Sequence, residues 1–117
     1  MLDSGLVIAV AAAGGFGSVL RLFASRWIGW LPWGILTANT VGAVIFLLVM
    51  SNNSPSTLIV TTGICGGLST FSAVVADAGN YLRDRHYLKA SLNLLANLLV
   101  PVLACLLTAG VIELLLN

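Results

Sequence analysis

Four long stretches of this chain, Gly5–Leu20, Gly34–Met50, Thr57–Gly79 and Leu92–Leu116, are built almost wholly from apolar and small side chains. A helix needs about 20 residues to cross the hydrocarbon of a bilayer, and the two shorter stretches reach that length with their apolar flanks. With 117 residues, 59% of them hydrophobic and 8% charged, and a mean hydropathy of +1.06, no material is left for a water-soluble module. The chain therefore reads as a single all-α transmembrane domain, 1–117, of four helices.

The N-terminus carries Asp3 and no basic residue before the apolar run, which predicts that the first segment is retained rather than cleaved as a signal peptide. Cys65 and Cys105 both fall inside apolar segments and read as small packing residues, not as a disulfide. The net charge of +1 says little, whereas the placement of charge says much. In a four-span chain the first and third connections share one side, and they hold Arg26, Arg83, Arg85 and Lys89; the other side, with both termini and the loop Ser51–Ser56, holds no Lys or Arg. The positive-inside rule then puts the basic loops in the cytoplasm and both termini outside, in a multi-pass protein of the cell membrane. Trp27, Trp30 and Trp33 bracket Pro32 and suit the headgroup layer. His86 stands among charges in Tyr81–Lys89, and with no second His, Cys cluster or phosphate-cradling loop it reads as a solvated residue, not as part of an enzyme site.

Polar residues inside the apolar stretches carry the functional signal. Arg21 follows sixteen uncharged residues; such a side chain either snorkels to the interface or faces a wet vestibule where it draws anions. Thr37, Asn39 and Thr40 interrupt the second stretch, and an amide at that depth must find a partner helix or a solute. Asn93, Asn97 and Pro101 follow one another at intervals of four on one face of the fourth stretch, as a polar path or as the kink of a packed helix. In the first stretch Ala11, Gly14 and Ser18 form a stripe that lets helices approach closely. The third stretch holds "GICGGLSTFS", in which Gly66 and Gly67 are poor helix formers and Ser69, Thr70 and Ser72 compete for backbone groups. A helix break is predicted there, and carbonyls freed by such a break can ligate a small cation.

Three of these motifs, in order, resemble the small fluoride channel (Fluc, or CrcB) family of bacterial membranes. "AGGFGSVLR" at Ala13–Arg21 is similar to that family's GGxxGAxxR, "GILTANTVG" at Gly34–Gly42 to GTLxVNxxG, and "GICGGLSTFS" at Gly63–Ser72 to GxxGGxTTFS. The resemblance implies an antiparallel, inverted dimer with the third helix broken mid-membrane, and passive export of fluoride that relieves fluoride toxicity. It implies a structural sodium ion, not transported, held at the dimer centre by the backbone carbonyls matching Gly66 and Ser69. It also implies that Asn39 faces the pore phenylalanines and donates to the ion, that Arg21 lines the vestibule, and that Thr70 and Ser72 belong to the polar lining. Fluoride is small and strongly hydrated, so donors such as Asn39 and Thr37 and the positive edge of Phe71 are suited to replace its water. The expected partners are lipid, fluoride and a second subunit, with no nucleic acid.

The chain departs from the family pattern at Val74, where a second phenylalanine usually follows Phe71 by one turn, and at Asn93 and Asn97, where Tyr and Ser are usual; Asp77 holds the place of a common Glu. An inverted homodimer requires insertion in both directions, which four basic loop residues against none oppose. We therefore expect one half of a heterodimer with a homologous subunit of opposite charge bias. A non-conducting subunit that only completes another channel is one alternative. A small multidrug exporter is another, disfavoured because its kind needs a Glu in the first helix and this span has no acid in its apolar run.

Overall fold

The computed structural model describes residues 3–50 and 54–117. Helix α1 (Ser4–Ala24) starts where the Asp3 carboxylate accepts from Leu6 N at 2.6 Å, and it runs a turn past the expected Leu20, so that Arg21 lies in its last turn near the negative end of the helix dipole. Helix α2 (Trp33–Val49) follows a tight turn in which Gly34 N donates to Trp27 O at 3.0 Å. Residues 51–53 of the expected loop Ser51–Ser56 lie outside the described residues.

The third span comes in two parts. Its first, α3 (residues 55–68), is capped by Ser54, whose hydroxyl accepts from Thr57 N at 3.2 Å, with Pro55 at the first helical position, where a missing N–H costs nothing. It contains an α-helical turn at Pro55–Leu58, a π-helical stretch at Ile59–Cys65 and a last turn at Gly66–Leu68. The second part, α4 (Phe71–Arg83), is capped by the Thr70 hydroxyl, which accepts from Ala73 N at 3.4 Å. After a short turn, α5 (Tyr87–Leu116) runs unbroken for 30 residues, with Pro101 inside it, and starts five residues before the expected Leu92.

This is an all-α, four-span membrane protein whose third helix is broken at its middle. Helices α1, α5 and the whole third span have the length and apolarity to cross a bilayer, and α2 is a shorter apolar helix of 17 residues. Half-span α3 packs between α1 and α2, while α4 and α2 both pack on α5. The apolar residues buried by these contacts are few, among them Ile35, Ala38, Cys65, Leu68, Val74 and Ala90, and most large apolar side chains point outward. Such an exterior is suited to lipid and to a second membrane subunit.

Glycine decides how closely α1 and α3 approach. A Cβ on Gly17 would collide with the Ile64 carbonyl, and one on Gly67 with the Gly14 carbonyl. The expectation that Gly66 and Gly67 themselves break the third helix is not met: both are helical, and the chain leaves the helix after them, at Ser69 and Thr70. In a membrane helix the lost propensity of glycine is outweighed by close backbone packing, so Gly67 here serves the α1 contact.

Candidate functional site

An extended peptide cannot continue a helical ladder, and both Ser69 (φ −84°, ψ 145°) and Thr70 (φ −155°, ψ 128°) are extended. Ser69 N closes the last turn of α3 by donating to Cys65 O at 3.0 Å. Thr70 N, which would next have bonded to Gly66 O, donates instead to Asn39 Oδ1 at 2.7 Å, and Thr70 O accepts from Asn39 Nδ2 at 3.2 Å. One side-chain amide from α2 thus satisfies both backbone polar groups of Thr70, as a neighbouring strand would. Among the described residues, no backbone N–H donates to the carbonyls of Gly66, Gly67, Leu68 or Ser69.

The clamp continues into α5. Asn39 Nδ2 also donates to Asn97 Oδ1 at 2.8 Å, Asn97 Nδ2 donates to Asn93 O and Asn93 Oδ1, both at 3.0 Å, and Asn93 Nδ2 donates to Val74 O at 3.2 Å. The spacing of four puts Asn93 and Asn97 on one face of α5, and Asn93 is almost wholly buried. Three amides therefore form one directed chain across α5, α2 and the break. Each is satisfied inside the protein, which is what burial of amides at this depth requires.

Two cavities flank the break. On one side, a cavity of about 260 Å³ is lined by Asn39, Ser69, Thr70, Phe71, Val74, Asn97 and Pro101. On the other, one of about 270 Å³ is lined by Asn39, Gly42, Ala43, Phe46, Thr61, Cys65, Gly66 and Ser69. A third, of about 490 Å³, opens between α1 and α4 and is lined by Arg21, Leu22, Ser25, Ile35, Ser72, Ala73 and Ala76. Arg21 is the only charged side chain in the three linings.

The structure thus brings Asn39, Ser69, Thr70, Phe71 and Asn97 together, places Gly66 with Asn39 and Ser69 on the far side of the break, and puts Arg21 beside Ser72. The Ser72 hydroxyl is 3.0 Å from that of Thr70, which links the Arg21 groove to the break. Thr37 stands apart: its hydroxyl donates to Trp33 O of its own helix at 2.8 Å, and it lines none of the three cavities. Phe71 is 75% exposed at the start of α4, whereas Val74 is 1% exposed. Thr61 and Cys65 escaped sequence reading as wall residues, although their spacing of four with Ser69 placed all three on one helical face.

Residues 8–111 match the family of CrcB-like proteins (Camphor Resistance, CrcB). The chain belongs to that family. Its relatives include the fluoride-specific ion channel FluC of Geobacter metallireducens, 34% identical over 85% of this chain and 89% of that protein. The protein of the same name from Pelobacter propionicus is 36% identical over 87% of each chain, and that from Escherichia coli 39% identical over 80% of this chain and 83% of its own. The CrcB-like family so named is one of ion channels, not of enzymes. The match spans α1 through nearly all of α5, so it includes the break, the amide chain and the Arg21 groove.

Proposed function

We propose that this chain is a subunit of a fluoride-specific ion channel of the cell membrane, through which fluoride leaves the cell passively and its toxicity is relieved. The observation that carries this reading is the name shared by relatives over most of their length, fluoride-specific ion channel. The cavity at the break supports it chemically, because its wall combines the aromatic Phe71, the hydroxyl residues Ser69 and Thr70 and the amides Asn39 and Asn97 with the apolar Val74 and Pro101. Both N–H groups of Asn39 are engaged, with Thr70 O and Asn97 Oδ1. Asn39 therefore donates to a passing anion by exchanging one of these bonds rather than from a free donor. Arg21 concentrates anions in the groove that leads through Ser72 to Thr70.

The structural sodium ion fits the donor set that the break exposes. The carbonyls of Gly66 and Ser69 are hard oxygen ligands without a backbone N–H partner among the described residues, and the two residues line the second cavity together with Asn39. The bound ion would supply a fixed positive charge that offsets those carbonyl dipoles and ties the break to that of a second subunit.

The second subunit in this reading is inverted, and it is a homologous partner rather than another copy. The basic loops face the cytoplasm and both termini lie outside, an orientation that four basic residues against none would fix. One observation favours a second reading, a subunit that completes a channel without conducting: Val74 is buried and leaves Phe71 as the sole aromatic of the first cavity.

The test is fluoride efflux, followed by a fluoride electrode, from liposomes holding this chain alone and then together with a co-expressed homologue of opposite loop charge. Efflux only with the partner supports the heterodimeric channel. Fast efflux from the chain alone overturns the heterodimer, and efflux with the partner that survives both Phe71→Ile and Asn39→Ala points to the non-conducting role.

A further inference from the structure

Away from the break, at the end of the molecule where the α1–α2 and α4–α5 connections meet, lies a cavity of about 380 Å³ lined by Trp30, Arg85, His86, Tyr87, Leu88 and Lys89. Two of these side chains are cationic and none is acidic. Lys89 Nζ is held over the Trp30 ring, 5.5 Å from its centre, and over the Tyr81 ring at 5.9 Å. Its charge is thus positioned by aromatic faces rather than neutralised by a carboxylate. Trp30, Tyr87 and Leu88 are each more than half exposed beside it, so a hydrophobic and aromatic surface adjoins the two cations. Each of these residues sits in a connection between spanning helices or in the first turn of one, where the headgroup layer is expected.

We propose that this cavity is a binding site for the phosphate of an anionic phospholipid headgroup of the adjacent leaflet. A phosphodiester accepts from Arg85 and Lys89 while the glycerol and upper acyl chain lie against Trp30, Tyr87 and Leu88, a pairing of charge and apolar surface that a free inorganic anion cannot use. Arg85 has a further property: its φ is 62°, the left-handed region where a side chain is unfavourable and glycine is at ease. A cation stands at the one non-glycine position of the described chain that would fold more easily without any side chain. This site is separate from the break, and its occupancy does not depend on which ion the channel carries.

Native mass spectrometry of the full chain in detergent, with phosphatidylglycerol and phosphatidylcholine offered in equal amounts, tests the proposal. Retained phosphatidylglycerol is expected, with affinity falling about fivefold for each of Arg85→Gly and Lys89→Gln and returning with Lys89→Arg. Arg85→Gly removes the cation while relieving the backbone, so its loss of lipid together with an unchanged or higher thermal midpoint separates binding from folding. Equal retention of the two lipids, displacement by millimolar inorganic phosphate, or retention unchanged in both charge-removing variants overturns it.

Discussion

Asn39 ties α2 to both the break and α5. Its amide spans α2 and the break, meeting Thr70 N and Thr70 O at once, and it is anchored in turn by Asn97. Replacing it with leucine keeps the side-chain bulk but strands both backbone polar groups of Thr70; an unsatisfied group costs about 1–3 kcal/mol when fully buried and less at this half-buried residue. Asn39→Leu is therefore expected to lower the thermal midpoint of the detergent-solubilised chain by several degrees and to abolish the fluoride flux of liposomes that hold the variant together with its partner subunit. Val74 gives the opposite kind of prediction. The family pattern invites Val74→Phe as a repair, yet Val74 is 1% exposed and its carbonyl accepts from buried Asn93. Val74 packs against α5 and also lines the first cavity, so a phenyl ring must either take up part of that cavity or overpack the α4–α5 contact, which costs about 1–3 kcal/mol. Val74→Phe alone should destabilise the α4–α5 contact and add no flux; a gain of efflux in the chain alone would show that the ring enters the first cavity, which Val74 already lines.

At the scale of helices, glycine divides into two kinds that sequence alone does not separate. Gly17, Gly34 and Gly67 each lie where a Cβ would strike a backbone carbonyl of another element, those of Ile64, Ala24 and Gly14 in turn, and backbone cannot yield as a side-chain tip can. At Gly15, Gly79 and Gly110 a Cβ would meet nothing within 4 Å. Alanine at any of the first three is expected to cost about 1–3 kcal/mol through forced separation of elements, whereas alanine at the second three should be neutral or stabilising by up to about 1 kcal/mol. Thermal stability of the six single variants, measured side by side, decides it. The same division explains what could be read in advance. The spans, the polar positions and the existence of a break were legible, because charge exclusion and hydroxyl-rich composition are local properties. The place of the break was legible only to within Gly63–Ser72: it falls at Ser69–Thr70, after the two glycines, where an amide thirty-one residues earlier in the chain takes the Thr70 N–H, and no local propensity reports that. The π-helical stretch in α3, which packs against α1 and α2, escaped as well. The start of α5 at Tyr87 was hidden by polar and charged residues that suit the first turn of a helix as well as they suit a loop.

Over the whole molecule, the charge distribution and the fold point to one requirement. Lys89 reaches Trp30, so the first and third connections do share one end, and with them Arg26, Arg83, Arg85 and Lys89 gather on that end of the molecule. The opposite end offers no Lys or Arg to compete, and insertion should be unidirectional. We expect a C-terminal alkaline phosphatase fusion to be active and a C-terminal green fluorescent protein fusion to be dark, since both termini would lie outside the cytoplasm. Neutralising Arg26 and Lys89 to Gln and Arg85 to Gly leaves Arg83 as the only basic residue among the four and should give signal from both fusions. If the inverted arrangement depends on orientation alone, that variant would also begin to conduct without a partner, because opposite copies of the same chain would then coexist in one membrane. If it inserts both ways and still fails to conduct, then what the partner supplies is side-chain chemistry, and the cavity beside Phe71 and Val74, with its single aromatic, is where that chemistry is missing.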